Sequence, residues 1–139
     1  MNQSRTLEQL EADRWPEPPP DSSPMVSRCH TLRKLPLEKL SAGDCRVLLT
    51  QGIGTRFVLP IALEIVEADP LVEGDYYTGD LLTALLRLSA EEFSGDTEAI
   101  RRLMAAAQRA DDLLTSNTEL TGSDLRLRKD IRAALVGRA

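Results

Sequence analysis

Apolar positions recur at three- and four-residue spacing through most of the chain, and the polar residues between them mark where each run begins and ends. Ser23 followed by Pro24 predicts a helix start, with serine as the cap and proline where its missing N–H costs nothing. That helix runs to about Lys34 and turns Met25, Cys29 and Leu32 inward. Ser41 with Asp44 three residues on resembles a capping box and opens a second helix, which buries Cys45, Leu48 and Leu49 and closes at Gly52. A third helix starts near Thr55. Its Phe57, Val58, Ile61, Ala62, Ile65 and Val66 cover so much of the circumference that it belongs at the centre of the fold. Pro60 predicts either a kink in it or the start of its regular part.

Ala68-Asp69-Pro70 ends that helix, and Leu71 to Thr78 forms an irregular connection carrying Tyr76 and Tyr77. Thr78 is read as the cap of a fourth helix, Gly79 to Leu88, with leucines at 81, 82, 85, 86 and 88. Ser89 with Glu92 forms another capping-box pattern, and Asp96 or Thr97 opens a longer helix with Ile100, Leu103, Met104, Ala107 and Leu114 on one face. A last helix, about Ser123 to Val136, presents Leu127, Ile131, Ala134 and Leu135. Ahead of Ser23, the prolines of Trp15-Pro16-Glu17-Pro18-Pro19-Pro20 forbid helix and impose an extended path. Residues 1–22 are therefore expected to form an arm, tacked down by Leu7, Leu10 and Trp15. Residues 23–139 are expected to form one compact all-α domain of about six helices, with the third and fourth at its centre.

Composition agrees and narrows the chemistry. A length of 139 residues suits a single domain, and an aromatic content of 4% leaves the core to Leu, Ile, Val and Ala. Two cysteines, Cys29 and Cys45, make no CxxC spacing and no disulfide framework, and one histidine, His30, excludes a His-rich metal site or a two-histidine acid–base mechanism. Cys29 and His30 are neighbours, but adjacent residues on a helix point about a quarter-turn apart, so a Cys–His nucleophile is discounted. Gln51-Gly52-Ile53-Gly54 has no preceding strand and no following GK[ST], so it is a turn between helices and not a phosphate loop. No catalytic residue, metal or cofactor is expected. Nor is any apolar run long enough to span a bilayer, and the opening MNQSRTLEQLEADRW has acids where a signal peptide has its apolar stretch, so a cytoplasmic location without a membrane partner is expected.

Charge changes the picture more. From Phe57 to Leu86 there is no Lys or Arg, while Glu64, Glu67, Asp69, Glu73, Asp75 and Asp80 contribute six of the 22 acids; elsewhere 17 basic residues face 16 acidic ones. A stretch of one sign steers partners of the other. The same segment holds both tyrosines, a residue type enriched in binding hot spots. Arg126, Arg128, Lys129 and Arg132 on the last helix are interrupted by Asp124 and Asp130, which reads as a solvated face and argues against direct nucleic-acid binding.

Several fragments, taken in order, carry a family resemblance: Thr6-Leu7-Glu8-Gln9-Leu10-Glu11, Trp15-Pro16-Glu17-Pro18-Pro19, Arg28-Cys29-His30, Leu35-Pro36-Leu37 and Gln51-Gly52-Ile53-Gly54. The longest runs from Pro60-Ile61-Ala62-Leu63-Glu64 through Ala68-Asp69-Pro70-Leu71, Glu73-Gly74-Asp75 and Tyr77 to Gly79-Asp80-Leu81-Leu82. Over residues 6–88 the chain resembles the immunity proteins of contact-dependent growth inhibition (CDI) systems. The resemblance implies a small helical protein, not an enzyme, that binds the C-terminal domain of a cognate toxin delivered by a neighbouring cell. Such toxins are often nucleases. The expected toxin-binding residues are Glu64, Glu67, Asp69, Glu73, Asp75, Tyr76, Tyr77 and Asp80, docking as an acidic surface on a basic cleft. Asp69, Gly74, Asp75, Gly79 and Asp80 also suit turn and cap positions. Two other readings stand beside this one: a helical adaptor with a different protein partner, and a metal-dependent enzyme using the acidic loop.

Overall fold

The computed structural model describes residues 3–137. Among them are seven α-helices: α1 (Leu7–Leu10), α2 (Pro24–Leu32), α3 (Ala42–Thr50), α4 (Thr55–Ala68), α5 (Asp80–Leu86), α6 (Thr97–Ser116) and α7 (Gly122–Gly137). Single 3-10 turns at Leu37–Lys39 and Glu91–Phe93 complete them, and the described residues include no strand. The all-α expectation holds.

Most helix ends are where their side-chain chemistry places them. Ser23 Oγ accepts from the Val26 amide, Ser41 and Asp44 make both bonds of a capping box, and Asp96 caps α6 by accepting from Ala99. Ser89 and Glu92 likewise bond each other's amides, which starts the turn that buries Phe93. The cap of α5 differs from expectation. Thr78 does not cap it; Gly79 does, in the left-handed region at φ 80°, and Asp80 takes the first helical position. Pro60 lies inside α4, and the helix is continuous on both sides of it.

The two central helices are α4 and α5. In α5 all residues from Asp80 to Leu85 are buried, so this short helix is wrapped on every side. α4 buries Val58, Leu59, Ile61, Ala62, Leu63 and Val66. Its buried arc is thus shifted from the expected one, with Phe57 and Ile65 half-buried and Leu59 and Leu63 inside. This happens because α3, α5 and α6 pack against it from different sides. α7 closes the other flank by packing on α5 and α6 through Leu127 and Ile131.

The arm is not extended throughout, since α1 makes one capped turn between Thr6 and Glu11 and buries Leu7 completely. Beyond it, Trp15 stacks on the buried Arg33 guanidinium, 4.3 Å from ring centroid to Cζ, and packs edge-on with the His30 ring, their centroids 5.0 Å apart. Arg33 donates to the Glu11 carboxylate and the Asp13 carbonyl, and Lys34 pairs with Glu17 at 2.9 Å. His30 is therefore a packing partner of the arm.

Candidate functional site

The acidic segment is organised around one carboxylate. Asp80, at the first position of α5, has a side chain 1% exposed and accepts hydrogen bonds from the amides of Gly74 (2.6 Å), Asp75 (2.9 Å) and Tyr76 (3.0 Å). Three consecutive backbone donors thus find their acceptor in the two oxygens of one side chain. The Gly79 amide donates back to the carbonyls of Leu71 and Val72 at 3.2 Å, and Glu73 pairs with Thr78 in an isolated antiparallel bridge. Residues 71–79 therefore form a closed loop, tied across its base by the Gly79 amide and from within by Asp80.

The loop sits against α3 because Gly43 has no side chain. A Cβ there would come 2.4 Å from Asp75 Oδ1, and one on Gly74 would come 3.0 Å from the Gly43 Cα. On this contact, arginines from distant parts of the chain converge. Arg46 of α3 donates to Asp75 at 3.0 Å, and its Nε stands 3.9 Å from Asp80. Arg28 of α2 bridges Asp44 and Asp75, each at 3.0 Å, while Asp44 also completes the cap of α3. Partial burial pushes the Asp75 carboxyl up, but the hydrogen bonds from Arg28 and Arg46 outweigh it and hold its pKa below the usual carboxylate range.

Tyr76 stands on this platform. Its ring lies over the Arg46 guanidinium at 4.5 Å and is 67% exposed; Tyr77 is 38% exposed. The ring is thus held chiefly by its stack on Arg46, with most of its surface open to solvent.

The remaining acids are placed elsewhere. Glu67 pairs with Arg102 of α6, which lowers its pKa, and its backbone carbonyl accepts from Arg109 at 2.5 Å. Glu64 is exposed, with the Gln3 amide 3.5 Å from each of its carboxylate oxygens. Asp69 is exposed at the end of α4, where its side chain accepts from the Leu71 amide at 3.3 Å. Glu73 is exposed on the loop. The structure thus brings Asp75, Tyr76 and Asp80 together with Arg28, Gly43, Asp44 and Arg46; the sequence marked Asp44 as a helix cap and Arg28 within a family-like fragment, but none of the four as part of the candidate site. The one sequence-level signal for those arginines was indirect: thirty residues without a base leave their carboxylates to be paired from outside the segment.

Both cysteines are buried and reduced. Burial pushes the Cys29 thiol up and the Cys45 thiol up to about 12, so neither is a thiolate near neutrality. Among the described residues no group of three or more His, Cys, Asp or Glu stands together as a metal site, and no helix is long and apolar enough to cross a membrane.

The family model of the CDI immunity proteins matches residues 9–103 of the chain. No curated protein matches it significantly. The matched stretch begins within α1, ends within α6, and contains the whole braced loop together with the arginines and glycine that seat it. With well over half of its length so matched, the chain belongs to the family of CDI immunity proteins and acts in immunity against a CDI toxin.

Proposed function

We propose that this protein neutralises its toxin by stoichiometric occlusion, as a binding protein and not an enzyme, in the cytoplasm of the cell it protects. The docking surface is the 71–79 loop, with Tyr76 and Tyr77 as anchors and the exposed acids Glu64, Asp69 and Glu73 as steering charges. Glu67 and Asp75 contribute through the arginine pairs that fix their positions, and Asp80 holds the loop from beneath. The carrying observation is Tyr76: an exposed ring stacked on Arg46, on a backbone bonded at three consecutive amides to a buried carboxylate. Such pre-organisation lowers the ordering cost of association.

The matching partner is a basic cleft of the kind a nuclease uses for its polyanionic substrate. Charge complementarity raises the on-rate, and nuclease–immunity pairs reach the tightest affinities known. The metal-enzyme reading is less well supported, because the Asp75 and Asp80 carboxylates are already engaged by arginines and backbone amides.

The test uses the C-terminal toxin domain encoded beside this gene. It should be captured one-to-one by the purified protein. Joint replacement Glu64→Lys and Glu73→Lys should slow association and flatten its salt dependence, while Tyr76→Ala should raise the off-rate. Unchanged protection of cells by both variants at normal protein level would place the interface elsewhere.

A further inference from the structure

Beside the loop, a cleft of about 160 Å³ opens between α5 and α7, walled by Tyr77, Thr83, Arg87, Ser123, Arg126 and Asp130. Its floor is Leu127, which packs so closely on Gly79 that a Cβ there would lie 2.5 Å from a leucine methyl. The loop and α7 are therefore fixed relative to each other at this point.

We propose that this cleft receives an acidic side chain of the toxin and determines which toxin is accepted. It rests on the reading that the neighbouring tyrosine loop is the docking surface. Size, charge and position support it. The volume equals roughly five water molecules at ~30 Å³ each, which suits the end of an Asp or Glu side chain and falls short of the ~300 Å³ at which small-molecule sites begin. Arg87 and Arg126 are both exposed, and among the described residues neither has a carboxylate within ion-pair distance, although Asp130 lines the same cleft. Two guanidinium groups against one carboxylate leave a net positive notch beside an acidic loop. Guanidinium binds carboxylate as a two-pronged donor, so such a notch is selective in orientation as well as in sign.

Position explains why the notch discriminates. Tyr77, Thr83 and Arg87 fall within the family-matched residues 9–103, whereas Ser123, Arg126 and Asp130 lie beyond them. One wall is shared with the family pattern and the other is outside it. Partner choice can then change on α7 without disturbing the braced loop. An interface pairing acid with base at one point and base with acid at the next also rejects partners in which either charge is reversed.

The test measures binding of the same toxin domain to the full chain carrying Arg126→Gln, Arg87→Gln with Arg126→Gln, or Arg126→Lys, with Tyr76→Ala alongside. Arg126→Gln should raise Kd at least tenfold, chiefly through the off-rate, with an unchanged melting temperature because the side chain is exposed. The double variant should lose more, and Arg126→Lys should recover part of the loss. Arg126→Glu should be rescued by reversing one Asp or Glu of the toxin to Arg. Wild-type binding by both glutamine variants, with Tyr76→Ala weakened, would overturn the cleft and keep the loop. Wild-type binding by all of them would overturn both. Losses confined to the arginine variants would keep the cleft and remove Tyr76 as an anchor.

Discussion

The Arg46 guanidinium lies 4.5 Å beneath the Tyr76 ring while donating to Asp75 at 3.0 Å, so one side chain of α3 fixes both a charge and an aromatic of the loop. Its side chain is 11% exposed, and its Nε has no hydrogen-bond partner, so the group is held by stacking and by charge together. Arg46→Met keeps the stem and removes the cation; it should cost about 1.5–3 kcal/mol in urea denaturation, the range for losing a hydrogen bond to a charged group. Arg46→Lys should recover only part, because an ammonium has no planar face to stack. Equal stability of both variants and wild type would show that the stack does not support the loop.

Asp80→Asn tests the loop's interior. An amide offers one acceptor oxygen where the carboxylate offered two, and it turns its own N–H groups toward backbone donors. A loss of about 2–3 kcal/mol is expected. Amide exchange should accelerate at Gly74, Asp75 and Tyr76 well before it does at Leu82 to Leu85. Uniform acceleration would mean that the loop and α5 open as one unit.

Leu85→Ala tests the central helix. Leu85 is fully buried in α5, so truncation should cost about 2–5 kcal/mol by calorimetry or denaturant titration. A loss under about 0.5 kcal/mol would remove α5 from the core.

Stability should also depend on acid. Arginine partners lower the pKa of Glu67 and Asp75 in the folded protein, so each contributes stability that is complete above its unfolded value and disappears as pH falls through the depressed folded value. The urea midpoint should stay level from neutrality to about pH 5 and drop below about pH 4. Asp75→Asn should reduce stability at neutral pH and make that acid drop shallower. An equally steep drop in the variant would assign the acid sensitivity to other carboxylates.

Local chemistry was legible in the chain itself. Ser23-Pro24, Ser41 with Asp44, and Asp96 mark helix starts because each interaction closes within three residues, and the apolar coverage of α4 and α5 identifies the buried centre because a helix apolar on all sides has nowhere else to go. The segment that bears the candidate site was legible too, from its missing bases and paired tyrosines. What those acids do was decided only by the tertiary structure. Asp75 meets Arg28 and Arg46 across 47 and 29 residues, and Glu67 meets Arg102 across 35, distances over which no periodicity carries information. Gly43 admits the loop only because Gly74 and Asp75 arrive there, and the cleft beside Tyr77 exists only because α7 returns to pack on Gly79. Capping and amphipathicity are short-range and belong to the sequence; pairing of charges across helices depends on how the helices pack, and so belongs to the fold.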